Sequence, residues 1–386
     1  MTAVRTPARS ALRTLAALCA VALLGAPGVA ARAGQPHEPD LRPALRQAVA
    51  DGFPGAVAYA RDGAREARAA AGVADTRTGA PARPQQRFRI ASNTKAFVAT
   101  VLLQLEGERR LSLDDSVEKW LPGLVQGHGN DGSAITVRQL LDHTAGLYDP
   151  TTEPAFWAPY LEDGDRDHVY APREVVARAV RHAPTFPPGT GWAYSNTNYL
   201  VAGLVVEAVT GRSAGDEIQR RILDPLDLDR TALPTTDPDV PGPHLHGYDL
   251  KGADLTRFSP SYDWTAGAMI STVDDLARFQ RALFGGKLLA PAQQRALLTP
   301  VDVPGAPAYG LGVQRREVPC PDGPVTVWGS DGAGPGYTSV AAATEDGRRQ
   351  LVLAVTVFDI AAQLRGEPPV PRSKALARAQ QAALCD

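Results

Sequence analysis

The chain has 386 residues, 44% of them apolar and 21% charged, with a formal net charge of −2. That balance excludes a disordered tail and a fibre, and it leaves no bulk basic surface for nucleic acid. Only five of its 40 basic residues are lysine, so each lysine is a scarce event in this chain.

Arg5, Arg9 and Arg13, the ten-residue apolar run Leu15 to Leu24, and Ala31-Arg32-Ala33 have the order of an export signal with a small-x-small cleavage site. The run is too short for a membrane span, which needs about 20 residues. Residues 1–33 are therefore expected to be removed, leaving a secreted chain on the cell-wall side with no membrane anchor. The 353 residues that remain carry a net charge of −6. Residues 34–386 are expected to form one folded domain.

Leu41 to Ala50 has helical apolar spacing and stops at the turn signal Asp51-Gly52. Gly55 to Arg61 and Arg65 to Gly72 flank Asp62-Gly63 and predict a hairpin. Phe88 to Ala91 is a short extended run, and Lys95 to Glu106 a strongly periodic helix. The middle, about 110–300, breaks into short helical patterns, among them Val137 to Asp142, Arg173 to Ala183, Tyr199 to Thr210 and Val273 to Leu283. Strand patterns return at Ala308 to Gln314, Val325 to Trp328, Gly336 to Ala343 and Gln350 to Val357, and Ser373 to Leu384 closes as a helix. This order predicts an α+β sandwich: a mainly antiparallel sheet built from about 41–95 and 300–386, flanked by helices, with an all-helical lobe over about 100–300.

Three segments can carry chemistry. In Ser92-Asn93-Thr94-Lys95 the serine and lysine share one helical face, and a desolvated lysine can take the proton of a serine hydroxyl. The same S-x-x-K spacing at Ser116 and Lys119 is expected to be a helix cap, with Glu118 holding the lysine charged. Tyr194-Ser195-Asn196 follows the rigid turn Pro187 to Gly191; a tyrosine can relay a proton and an asparagine can hold an amide. Trp328 to Tyr337 is a glycine-rich stretch read as a connection between two strands, open to close approach by another backbone. His244 and His246 have metal-like spacing without clustered partners, and Asp114-Asp115 reads as a solvated turn. No metal site and no phosphate loop is expected. After signal removal two cysteines remain, Cys320 and Cys385; in an exported chain they make one disulfide, two inert thiols or an intermolecular pair, the single disulfide being the economical reading.

Together these segments resemble the serine penicillin-recognising hydrolases, in the class C β-lactamase-like branch. Arg89 to Lys95, Leu140 to Leu147, Pro188-Gly189, Tyr194 to Tyr199 and Ala266 to Thr272 carry the similarity, which covers about 40–385 and is greatest to secreted actinobacterial D-alanyl-D-alanine carboxypeptidases, late cysteine pair included. The resemblance implies an acyl-enzyme: Ser92 as nucleophile, Lys95 as base, Tyr194 passing a proton to the leaving amine, Asn196 holding the substrate amide, and the N–H groups of Ser92 and Ala333 as oxyanion hole. It implies a peptidoglycan-like stem peptide or a small ester as substrate, acylation by β-lactams, no cofactor and a monomer. An esterase, a D-amino-acid peptidase or β-lactamase, or a weak peptidoglycan-binding protein on the same scaffold are the alternatives. One departure stands out. Where the family's third motif begins with a cationic residue, this chain reads Ser330-Asp331-Gly332, which leaves Arg315 or Arg316 as the expected replacement cation. His143-Thr144-Ala145-Gly146 is expected to be structural.

Overall fold

Small residues on one side of a strand and larger ones on the other decide how this sheet is covered. The computed structural model describes residues 39–385 other than 304 and 306; the export-signal segment and Cys19 lie outside the described residues. In β1 (Gly55–Asp62), Ala56, Ala58 and Ala60 face one core while Val57 and Tyr59 face the other, as a period of two requires. The alanine face admits α1 (Arg42–Ala50), and the opposite face packs on a helical layer that includes Leu102, Leu140 and Val201.

β1 turns at Gly63 into β2 (Arg65–Asp75), as the hairpin pattern predicts, and β3 (Ala80–Pro81) extends that edge. The late strands are β4 (Ala308–Tyr309), β5 (Gln314–Val318), β6 (Val325–Gly334), β7 (Tyr337–Thr344) and β8 (Arg349–Val355). β8 pairs antiparallel with β1, so the two ends of the chain join in one eight-stranded sheet of order β3-β2-β1-β8-β7-β6-β5-β4. The expected sandwich is the observed one. The helices that matter for the site are α2 (Thr94–Gly107), α3 (Asn196–Thr210) and α4 (Val273–Phe284), all on the larger core.

Three local readings are corrected. Ala308 to Gln314 is two short ladders rather than one strand, because Gly312 adopts φ +78° and brings its backbone against α2, where a Cβ would crowd Ala99 and Lys95 O. Phe88–Arg89 pairs with Ile270–Ser271 instead of joining the large sheet. The glycine-rich stretch is strand, not connection: β6 runs unbroken to Gly334 and turns only at Pro335-Gly336. Finally, α5 (Ala375–Leu384) lies on the alanine face, and Cys320 and Cys385 form a disulfide that closes a 65-residue separation between its end and the segment before β6.

Candidate active site

Ser92 sits in a single 3-10 turn, Ala91–Asn93, that leads directly into α2. Ala91 holds φ +45°, a left-handed conformation that a non-glycine residue adopts only when its surroundings impose it. Those surroundings are visible. Thr94 Oγ1 donates to Ala91 O at 2.8 Å, and Asn93 Nδ2 donates to Ile90 O at 3.1 Å and to Ser339 Oγ at 2.9 Å. A Cβ on Gly332 would collide with Ile90 O, so the glycine is what lets β6 lie against the nucleophile turn. The close approach expected of that stretch is therefore present, and its partner is the turn bearing Ser92.

Lys95 is fully buried, the second residue of α2. Its Nζ donates to Ser92 Oγ at 3.0 Å, to Asn196 Oδ1 at 2.8 Å and to Ala266 O at 2.7 Å. Burial pushes the ammonium down to about 8, against the opposing pull of Asp263 and Asp149. Tyr194 OH donates to the same Ser92 Oγ at 2.7 Å, and Lys95 Nζ lies 4.8 Å from the centre of its ring. Desolvation drives the phenol well above its ordinary range, with Asp263 and Asp149 adding to the rise and the Ser92 hydrogen bond opposing it. At neutral pH Tyr194 is thus a phenol able to give a proton, while Lys95 is mainly the ammonium and takes a proton through its neutral fraction, which grows as the pH rises toward 8. Ser92, Lys95, Tyr194 and Asn196 are spread over positions 92–196, and the fold joins them in one hydrogen-bonded cluster.

Asn196 begins α3, where its N–H donates to Asp149 Oδ2 at 2.8 Å. Asp149 is buried and also accepts from Thr151 N at 2.9 Å and Thr151 Oγ1 at 2.7 Å. His143, expected to be only structural, lies behind Tyr194 with ring centres 4.5 Å apart. Its Nδ1 faces Ser195 N at 3.3 Å and Asn198 Nδ2 at 3.1 Å, and burial, followed by the nearby Lys95 charge, holds it neutral. His143, Asp149 and Asp263 are the members that sequence reasoning missed. No spacing links positions 143, 149 and 263, and only the fold converges them.

An open cleft of about 460 Å³ runs past Ser92, Tyr194 and Asn196. Part of its lining is apolar, with Trp157, Phe358, Ile360 and Leu364. Asp331 and Ala333 line it on β6, beyond the last β5 pairing at Gly329 and Gln314, which leaves the outer edge of that strand toward the cleft. The third-motif expectations change here. Ser330 is turned away from the cleft, with its Oγ 3.4 Å from Ser92 O and its neighbours Asn93, Ala96 and Phe279, because alternation along β6 sends positions 330 and 331 to opposite faces. Arg315 does not line the cleft; its half-exposed side chain lies 3.7 Å from Glu317. Arg316 meets the cleft only through Asp331, to which its Nη1 donates at 2.6 Å.

The remaining sequence candidates are structural. Ser116 caps the turn Val117–Trp120, accepting from Lys119 N at 3.3 Å. Lys119 is held by Asp115 at 2.7 Å and not by Glu118, which instead accepts from Gly123 N, so Asp115 is more engaged than a solvated turn implies. His246 Nδ1 lies 2.7 Å from Asp254, His244 Nδ1 lies 2.7 Å from Gly242 O, and no metal-binding cluster occurs among the described residues.

A family model described as Beta-lactamase matches residues 41–372. Among solved structures, the D-stereospecific amidohydrolase from Streptomyces sp. is 40% identical with a TM-score of 0.78, over 90% of this chain and 98% of that one. The D-amino acid amidase from Ochrobactrum anthropi SV3, complexed with D-phenylalanine, is 26% identical with a TM-score of 0.75, over 89% and 97%. Protein flp of Staphylococcus aureus (strain NCTC 8325 / PS 47) is 28% identical over 239 residues, 60% of this chain and 46% of that protein, so the chain spans about half the length of that relative. A penicillin-binding protein of Bacillus subtilis (strain 168) is 26% identical over 300 residues, 73% of this chain and 63% of that one.

Proposed function

This chain belongs to the beta-lactamase family, and on that premise we propose that it hydrolyses amide bonds of D-configured amino-acid substrates through an acyl-enzyme on Ser92. The observation that carries the reading is the placement of Ser92 Oγ between a buried amine at 3.0 Å and a phenol at 2.7 Å. In the proposed sequence Ser92 Oγ attacks the carbonyl carbon and its proton passes to neutral Lys95. The N–H groups of Ser92 and Ala333 receive the oxyanion. Tyr194 then protonates the leaving nitrogen and is reprotonated from Lys95 as the C–N bond breaks. Water reverses the steps on the ester, and the proton returns to Ser92 Oγ.

The D-alanyl-D-alanine carboxypeptidase implied by resemblance is the narrower version of this function. It needs a cation for the terminal carboxylate of its substrate, and position 330 supplies none while Arg316 is held by Asp331. The two amidase-type structural neighbours, each aligned over nearly its whole length, support amide substrates without that carboxylate. The apolar part of the cleft lining supports a hydrophobic side chain. We further propose that residues 1–33 direct export, so that the enzyme meets its small substrates outside the cell.

The test compares turnover of a D-amino-acid amide, a D-alanyl-D-alanine peptide and a short-chain ester by the wild type and by Ser92→Ala. The expected order puts the D-amino-acid amide first, with all turnover lost in Ser92→Ala. Residual turnover in that variant, or a preference for the carboxylate-bearing peptide, overturns the reading.

A further inference from the structure

Asp263 is a buried carboxylate that the proposed reaction does not use. It is 4% exposed and lines the cleft together with Ser92, Tyr194 and Asn196. Among the described residues no donor reaches its side chain, and Oδ1 is left buried without a hydrogen-bond partner. Buried carboxylates are normally satisfied, because an unpaired one loses its hydration and gains nothing in return.

The neighbouring groups do not satisfy it. Lys95 is the nearby cation, and an ammonium has three hydrogens; Ser92 Oγ, Asn196 Oδ1 and Ala266 O take them. Arg316 is held by Asp331 on β6. Asp149, the other buried acid of the site, already accepts three hydrogen bonds, from Asn196 N, Thr151 N and Thr151 Oγ1. Asp263 Oδ1, by contrast, has no donor among the described residues. The fold also makes room for it. A Cβ on Gly267 would collide with Asp263 Oδ2, and the next residue, Trp264, is held at φ +30°. Left-handed backbone at a non-glycine residue needs support from its surroundings and gathers at ligand sites.

We infer that Asp263 anchors the free α-ammonium group of the substrate, so that the cleft selects amides of amino acids whose amino group is unblocked. The inference rests on the acyl-enzyme reading and fixes its polarity: an amino-terminal residue is recognised, not a carboxyl-terminal one. The position suits this. Ala266, one turn after Asp263, and Ser92 are both bonded to Lys95 Nζ, so a cation at Asp263 sits close to the reacting carbonyl, as an α-ammonium must. The carboxyl is pushed up to about 6 by burial, so it is predominantly ionised at neutral pH.

The probes are D-phenylalanine p-nitroanilide and its deamino counterpart, 3-phenylpropanoyl p-nitroanilide, with wild type and Asp263→Asn. The wild type is expected to favour the amine-bearing compound, and Asp263→Asn to lower that preference, as a ratio of kcat/KM values, by roughly 10- to 100-fold, the worth of a hydrogen-bonded charge. A wild type indifferent to the amino group overturns the inference. So does a variant in which both compounds lose rate in the same proportion, since that is the mark of an acid acting through Lys95. A second measurement does not depend on turnover: calorimetric binding of D-phenylalanine amide and 3-phenylpropanamide to Ser92→Ala, with and without Asp263→Asn. Tighter binding of the amine that vanishes with Asp263 upholds the anchor even if the acyl-enzyme reading fails; equal binding of both amides sinks the anchor even if Ser92 is acylated.

Discussion

His143 and Tyr194 lie ring against ring, their centres 4.5 Å apart and their planes 34° from parallel. His143 is fully buried and held at φ +63°, and its Nδ1 is 3.3 Å from the N–H of Ser195, the residue between Tyr194 and Asn196. The histidine therefore sets the position of the phenol from behind and of its backbone from the side, without touching Ser92.

His143→Ala is accordingly expected to act on the chemical step. With the ring removed, Tyr194 gains freedom, and a small loss of alignment in a proton relay costs roughly 10- to 100-fold in kcat. KM for the same substrate should stay within about threefold of wild type, because His143 itself does not line the cleft. Steady-state kinetics on one ester substrate checks this. A loss confined to KM contradicts the positioning role.

The pH dependence follows from Lys95. Its ammonium is pushed by burial down to about 8, and the base must be neutral to accept the Ser92 proton. The groups around it are Asp263 and Asp149, which hold the proton on, and Tyr194, Tyr199 and His143, which are uncharged at neutral pH. With a neutral ester, kcat/KM should climb as pH rises and level off above an apparent pKa near 8. A profile that falls across the same window would assign the required form of Lys95 to the ammonium instead.

Gly332 tests the contact between β6 and the nucleophile turn. Gly332→Ala drives a Cβ into Ile90 O, and overpacking of this kind costs about 1–3 kcal/mol. Activity should fall with stability, because the displaced segment carries Ser92. Gly215→Ala is the control: a Cβ there meets nothing nearer than 3.9 Å, so denaturation midpoints should show no loss.

The disulfide acts elsewhere. Cys320 and Cys385 pack against the alanine-face core under α1 and α5, whereas Ser92, Lys95 and Tyr194 belong to the opposite side of the sheet. Closing a loop of 65 residues is worth about 4 kcal/mol by chain entropy. Reduction, or Cys320→Ser, should lower the unfolding free energy by up to that amount while kcat of the folded enzyme stays put. A loss of kcat in the folded variant contradicts the separation of the two faces.

The sequence was most legible where chemistry and periodicity coincide. Ser92 and Lys95 share a helical face whatever the rest of the fold does, and the Asp62-Gly63 hairpin and the sheet formed by both ends of the chain follow from local patterns. The third motif was read less well, because alternation along β6 cannot be applied until the stretch is known to be strand. Once it is, Ser330 goes inward and Asp331 outward, and the cation expected from Arg315 is absent from the cleft. Asp149, Asp263 and His143 were illegible as site residues for a different reason. Each occupies a short irregular segment, and its meaning lies in contacts with residues far away in the chain, such as Asn196 and Tyr194.

Every step of the proposed chemistry requires that Ser92 be the residue that is acylated. Mass mapping after rapid quench of a D-phenylalanine ester, or after treatment with a fluorophosphonate, reads this directly. The predicted result is a single adduct on the peptide containing Ser92, lost in Ser92→Ala and in Lys95→Ala. An adduct on the peptide containing Ser116, the other serine with a lysine three positions on, would contradict it.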